Sequence, residues 1–377
     1  MPPLPGPEQR PADDDTFLER LLALAGGCGI TRLADITRLD TLGLPVWQAI
    51  RPAGRALSVH QGKGASPAAA KIGALCEAIE SHCAETVEAD GPLALFEALE
   101  PSQRAPSLAD YSARRGARPP EEAIPWCRAE DLATGKAHYL PLDLVSLDFT
   151  IRTESYFDRC STGLGAGPTM ADALRTSLFE LIERDCVGEW ERSGMLERLA
   201  SSLDPDSVPL DWFQEWIDRL AASGASLRVF APAAVIGVPV FICWLEGGER
   251  FGMRFRRFGG SAAHGDPQVA LFKAFAEAVQ SRLTFIAAVR DDMLPSTYAA
   301  SSPQLSARVP PVPPGFPERS WEEVAPHSCA VEALAEALEA AGYPRIAVKR
   351  LDREMEGVAV TKAFVPGLGS ASRERRR

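Results

Sequence analysis

Apolar positions recur at helical spacing in three separate segments of the chain, and beside each apolar stripe stand acidic or amide side chains. The segments are GASPAAAKIGALCEAIES (64–81), GPTMADALRTSLFELIER (167–184) and GDPQVALFKAFAEAVQS (265–281). Each opens on Gly and Pro with Ser66, Thr169 or Asp266 beside the proline, a combination that suits the start of a helix. The spacing places Glu77 and Glu80, Glu180 and Glu183, and Glu277 and Gln280 one turn apart on the three helices. A single helix of this kind reads as a solvated face. The recurrence alters that reading, because the positions sharing the face of each first Glu are mostly small: Ala70, Ala74 and Ser81, then Ala173 and Ser177, then Ala270, Ala274 and Ser281. Small neighbours admit another backbone or a ligand. Carboxylates held together repel unless a cation sits between them, and hard divalent cations take oxygen ligands. The three helices are therefore expected to direct their Glu and Gln groups into one shared polar cleft.

Around these helices the pattern alternates between short apolar runs and turns. Residues 17–40 read as a helix followed by a turn, and LPVWQAIRP and RALSVHQGKG as strands. The stretch 125–145 reads as a hairpin turning at Thr134-Gly135. LRVFAP and VPVFICWLEG read as strands ahead of the third carboxylate helix. A Pro-rich linker (about 301–320), a helix (329–342) and the strands RIAVKRL and VAVTKAFVP follow. The fold class expected is α/β (mixed α+β), with one large domain over 17–368 built from three related helix-containing units. Residues 1–16 are expected to be a disordered tail and 369–377 a flexible basic tail.

Charge and composition narrow the function. The net charge of −11, without a long Lys/Arg stripe, argues against nucleic-acid binding. No apolar run approaches the roughly 20 residues that span a bilayer, and MPPLPGPEQRPADDD has no apolar core of a signal peptide. Eight scattered cysteines without a Cys-x-x-Cys pair, and five dispersed histidines, give no zinc pattern and suit a reducing compartment. A cytoplasmic chain is expected.

HQGKGAS and STGLGAGPT are Gly-rich and immediately precede helices, where backbone N–H groups favour anions. Neither is a P-loop, and each alone reads as a tight turn sooner than as a phosphate site. Joined to carboxylates suited to Mg²⁺, they point to a nucleoside triphosphate held through metal-bridged phosphates.

The first two carboxylate segments, with DPQVALFKAFAEAVQSRL and the later VRDD, resemble the motifs of the YcaO family over about Ile30 to Leu368. The resemblance implies an ATP- and Mg²⁺-dependent enzyme that activates a peptide backbone amide by O-phosphorylation, with catalytic residues Glu180, Glu183 and Arg184. It further implies Glu77, Glu80, Glu180 and Glu183 as metal-handling carboxylates, with Asp172 beside the phosphates. Lys63, Gln280, Arg282 and Arg290 are the implied nucleotide contacts, joined by Arg184. Of the family's first motif, S-x-x-x-E-x-x-E-R, the chain keeps both carboxylates but has Gly73 and Ser81 where the motif has Ser and Arg.

Azoline-forming members use a Cys, Ser or Thr of the peptide as nucleophile and typically end in Pro-x-Pro-x-Pro. The VPGLGSASRERRR ending and RPAGRALSVHQGKG instead resemble the branch that works with a TfuA partner, in which external sulfide yields a backbone thioamide. Thioamide formation on a peptide or protein substrate is expected, with a TfuA-like partner and a homodimeric state. The alternatives are an azoline-forming cyclodehydratase of ribosomal peptides, and a non-catalytic protein of the ribosomal protein S12 methylthiotransferase accessory factor type.

Overall fold

In the computed structural model the described residues are 11–112, 116–151, 155–247, 257–293, 298, 312–352 and 355–368. The chain is mixed α/β, as expected, and every strand pairing among the described residues is antiparallel. One sheet joins β1 (Arg32–Asp35), β2 (Val46–Ile50) and β3 (Val59–Lys63) in that order. A second joins β8 (Ala225–Phe230), β9 (Val240–Gly247) and β10 (Arg257–Ala263) in the order β10-β9-β8. The largest has β4 (Leu93–Ala94), β5 (Ile124–Asp131), β11 (Ala347–Arg350), β12 (Ala359–Phe364) and β7 (Leu164–Gly167) in sequence across it. There β6 (Ala137–Pro141) pairs with β5.

Each carboxylate helix follows a strand of a different sheet: α2 (Pro67–Glu85) follows β3, α4 (Met170–Arg192) follows β7, and α7 (Pro267–Ala287) follows β10. The predicted starts hold. Ser66 accepts from the Ala69 N–H, Thr169 from the Asp172 N–H and Asp266 from the Gln268 N–H. The alanines on these helices receive the backbone of the preceding strand, while Ser81 and Ser281 line a cleft. A Cβ on Gly62 would stand 2.1 Å from Ala70 O and Ala74 N, and one on Gly165 would stand 2.4 Å from Ala173 O. Gly260 meets Ala274 O in the same way at 2.3 Å. Each strand therefore presses its backbone onto the following helix at a glycine, which fixes where the helix lies.

Four expectations need correction or limits. Residues 17–40 are not one helix and a turn: α1 spans Pro11–Ala25, and Arg32–Asp35 is β1, paired with β2. The helix thus begins inside the segment expected to be a tail, while residues 1–10 and 369–377 lie outside the described residues. The Gly-rich stretches are largely strand, since Gly62 and Lys63 belong to β3 and Leu164–Gly167 is β7; their glycines serve close packing before they serve anions. Of the linker, 301–311 lies outside the described residues, whereas Val312 and Phe316 pack on the Trp190, Phe230 and Trp244 cluster.

The predicted hairpin forms, with Gly135 at φ 65° and the Asp131 carboxylate accepting from the Thr134 N–H and hydroxyl. The remaining helices are α3 (Leu142–Val145), α5 (Met195–Ala200), α6 (Asp211–Ala222) and α8 (Val331–Ala340). None of the helices among the described residues is long and apolar enough to cross a membrane.

Candidate active site

A single cleft of about 1450 Å³ opens between α2, α4 and α7 and the strands they pack on. Glu77, Glu80, Glu180, Glu183, Glu277 and Gln280 all line it. Each carboxylate is set by a partner from another element. Glu77 accepts from the Gln61 N–H on β3 at 2.6 Å, and Glu180 accepts from the Gly163 N–H at 2.9 Å. Glu183 accepts from the Ser261 hydroxyl of β10 at 2.6 Å, and Glu277 takes the Lys63 ammonium of β3 at 2.8 Å. These bonds hold the oxygens against rotation, so the cluster is preorganised by backbone and neighbouring strands.

The carboxylates keep some contact with solvent along the cleft, yet the surrounding protein strips enough water to raise their proton affinity. Desolvation first, then the charges of Glu180 and Glu77, push Glu80 up to about 8. Desolvation and the charge of Glu277 push Glu183 up to about 7. Glu77 and Glu180 are raised as well, chiefly by desolvation, with the Gln61 N–H and Lys63 opposing the shift at Glu77 and Arg184 opposing it at Glu180. Mutual repulsion of this kind is relieved by a cation. Among the described residues no three His, Cys, Asp or Glu side chains are grouped closely enough to hold a metal by themselves. Carboxylate oxygens of this kind suit Mg²⁺, which takes one or two carboxylates and completes its shell with phosphate oxygens and water.

Cations complete the site. Arg184 reaches Glu180 at 3.7 Å and is exposed to the cleft; Arg290 lines it too, paired with Asp292 at 2.6 Å. Gln280 lines the cleft and donates to Gln61 O at 3.4 Å. Asp172 sits at the N-terminal turn of α4, where its carboxylate accepts from Thr169 at 2.5 Å and pairs with Arg175. Arg282 does not belong to the cleft. Its side chain is 5% exposed and is bound to Asp40 at 2.7 Å and to Gly247 O at 2.9 Å, an interior ion pair joining α7 to the segment after β1.

Two residues not singled out above line the cleft, and a third, Lys362, is buried near its carboxylates. Lys273 and Arg175 line the cleft. Desolvation, then the nearby Lys63, lowers Lys273. Lys362 on β12 is 1% exposed, donates to Cys160 O at 2.7 Å and lies near Glu180 and Glu80, which oppose the lowering that burial imposes on it. Lys273 falls one turn before Glu277 on the same helix, which was a usable signal; Lys362 lies in an apolar strand, and no spacing relates it to the helices.

Residues 61–369 match the model of the YcaO family, described as a YcaO cyclodehydratase that binds ATP and Mg²⁺. The chain belongs to the YcaO family, and ATP and Mg²⁺, the cofactors expected from the motifs, are those of the family. It is 34% identical over 361 residues to an uncharacterized protein in the tfuA 3′ region of Rhizobium leguminosarum bv. trifolii, covering 90% of this chain and 84% of that one. Among solved structures, a heterocyclase in complex with substrate and cofactor superposes with a TM-score of 0.75 at 21% identity. That likeness takes in 97% of this chain but only 53% of the heterocyclase, so the chain spans about half of it. YcaO from Methanopyrus kandleri, bound with AMPPCP and Mg²⁺, superposes with a TM-score of 0.67 at 18% identity, covering 97% and 93% of the two chains.

Proposed function

We propose that this chain activates a peptide backbone amide by ATP-dependent O-phosphorylation and delivers it to an external sulfur nucleophile, forming a thioamide. The observation that carries the first half is the convergence of Glu77, Glu80, Glu180 and Glu183 in one cleft with Lys63, Arg184 and Arg290. An amide is a poor electrophile and its oxygen a poor leaving group, and Mg²⁺·ATP supplies a phosphoryl group that makes the oxygen a good one. The chain's own residues bind and orient. Glu80, Glu180, Glu183 and Glu77 offer the hard oxygens for Mg²⁺, and Arg184, Lys63, Arg290 and Gln280 offer donors for the polyphosphate. Arg184, tethered to Glu180 at 3.7 Å, would disperse charge on a transferring phosphoryl group.

The tfuA-region relative supports a TfuA-like partner, to which we assign sulfur delivery; the homodimeric state is proposed on the family resemblance alone. Free sulfide lacks the effective concentration of a neighbouring side chain, so delivery by a partner is required for rate. The test is mass spectrometry of candidate peptide incubated with this protein, ATP, Mg²⁺, a sulfide source and the TfuA-like protein. Exchange of oxygen for sulfur in the backbone is expected. Loss of one water, dependent on a Cys, Ser or Thr beside the amide, assigns the chain to azoline formation instead; no modification without any loss of ATP binding assigns it an accessory role.

A further inference from the structure

Lys362 is a buried charge to which amide activation has so far given no role. It stands at 1% exposed in β12, a strand buried along its whole length. Its cross-strand partner on β11 is a second buried lysine, Lys349, which is bound to Asp90. Like charges at facing positions of a sheet oppose each other, and an ammonium with three donors is costly to bury. Among the described residues its one hydrogen bond goes to Cys160 O at 2.7 Å. An apolar side chain of similar length would serve the core at least as well. The lysine costs the fold something, and buried departures of this kind mark functional positions.

Cys160 opens the turn that leads into β7. The Leu164 N–H donates to Ser161 O at 2.8 Å, and Gly163 takes φ 84°, a left-handed conformation that glycine adopts without strain. A Cβ on Gly163 would also stand 2.3 Å from Ala363 O. β12 holds the turn at both ends: the Ala363 N–H donates to Gly163 O at 2.8 Å, and Lys362 donates to Cys160 O. The Gly163 N–H is thereby directed at Glu180, which accepts it at 2.9 Å. β7 is the edge strand of its sheet, and further along it the Ala166 N–H bonds Glu80. Carboxylates from two helices, α4 and α2, thus hang on one short segment. The Lys362 ammonium lies near both, although it does not itself line the cleft.

We infer that Lys362 is a positioning residue for the metal site: by clamping the Cys160–Gly163 turn it fixes the Gly163 N–H, and through it the direction of the Glu180 carboxylate. The inference rests on the reading in which Glu180 meets Mg²⁺, and it adds a residue that touches neither cation nor nucleotide. A carboxylate held in one direction binds a cation without first losing rotational freedom, which is how outer hydrogen bonds tune metal sites. Were Lys362 only a member of the core, its loss would change stability and act independently of Glu180.

The test is a double-mutant cycle on the full chain, with Mg²⁺·AMPPCP titrated calorimetrically into wild type, K362M, E180Q and K362M/E180Q. K362M is expected to weaken binding about tenfold, the scale of one hydrogen bond to a charged group, while its melting temperature stays within a few degrees of wild type. E180Q is expected to weaken binding as well. On the E180Q background K362M is expected to add no more than about twofold, because both changes act through one oxygen. K362Q keeps a donor for Cys160 O without the charge; it is expected to fall between wild type and K362M, and it carries the cycle if K362M does not fold. Unchanged affinity in K362M, full additivity with E180Q, or failure of both Lys362 variants to fold overturns the inference. Unchanged affinity in E180Q would instead contradict the reading in which Glu180 meets the cation.

Discussion

Lys63 and Glu277 stand 214 positions apart in the chain and meet at 2.8 Å across the cleft. The pair ties the β1-β2-β3 sheet to the helix of the β10-β9-β8 sheet, and it brings an ammonium to a site dominated by carboxylates. Both side chains keep contact with solvent, 24% and 30%, so the pair contributes at most about 1 kcal/mol to stability. Its consequence lies in binding. Lys63→Met is expected to weaken Mg²⁺·AMPPCP by about tenfold or more, the scale of one lost charge-assisted hydrogen bond, with a small change in melting temperature. Calorimetric titration beside a thermal melt checks this, and unchanged affinity would remove Lys63 from the nucleotide site.

Glu180→Gln and Glu183→Gln each keep the shape of the side chain and remove a negative oxygen. Loss of a few kcal/mol of transition-state stabilisation corresponds to at least about a hundredfold in turnover. Steady-state ATPase assays are expected to show that fall in both variants. Rates equal to wild type would take these residues out of the mechanism.

Arg282 and Arg290, both implied by the family resemblance as nucleotide contacts, separate in the structure and are expected to separate in solution. Arg282→Ala leaves Asp40 buried without its partner, a change that costs about 3–5 kcal/mol of stability; at 5% and 4% exposed, neither side of that pair is screened by water. Arg290→Ala frees Asp292 at the cleft edge and is expected to lower AMPPCP affinity with little effect on the melt. Denaturant unfolding and nucleotide titration of both variants decide which arginine supports the fold and which the ligand.

Arg282 also shows what a linear reading reaches. Helical spacing put Glu77, Glu80, Glu180 and Glu183 on chosen faces of helices whose starts Ser66 and Thr169 marked, and those faces do line one cleft. Spacing says nothing about the partner of a side chain two residues further round the helix, so the interior pairing of Arg282 with Asp40 was invisible. The glycines of HQGKGAS and STGLGAG were legible as special but not as packing residues, because the helix backbone that excludes a Cβ at Gly62 and Gly165 is fixed only once the strands fold back. β1 was hidden because its four residues, two half-buried between two exposed, show no alternation. Lys362 was hidden because β12 is buried along its whole length, and a lysine within an apolar run shows no side.

Protons and Mg²⁺ compete for the same oxygens. Glu80 and Glu183 are pushed up to about 8 and about 7, so below those values each carries a proton that the cation must displace. The apparent affinity of Mg²⁺ in the presence of AMPPCP is expected to rise as pH increases through about 7 and about 8 and to level off above. Glu80→Gln should flatten the upper part of that rise. A profile that falls over this range in the wild type would mean that the carboxylates are not the groups that meet the cation.

The central claim is that the amide oxygen leaves as part of phosphate, whichever nucleophile replaces it. A peptide substrate synthesised with a heavy oxygen isotope in its backbone amides, incubated with the protein, a TfuA-like protein, ATP, Mg²⁺ and sulfide, tests this most directly. The inorganic phosphate released is predicted to carry one heavy oxygen for each amide modified, detected by its mass and by its phosphorus resonance shift. Modified peptide accompanied by unlabelled phosphate, with the heavy oxygen appearing in water or remaining in the peptide, would contradict phosphorylation of the amide.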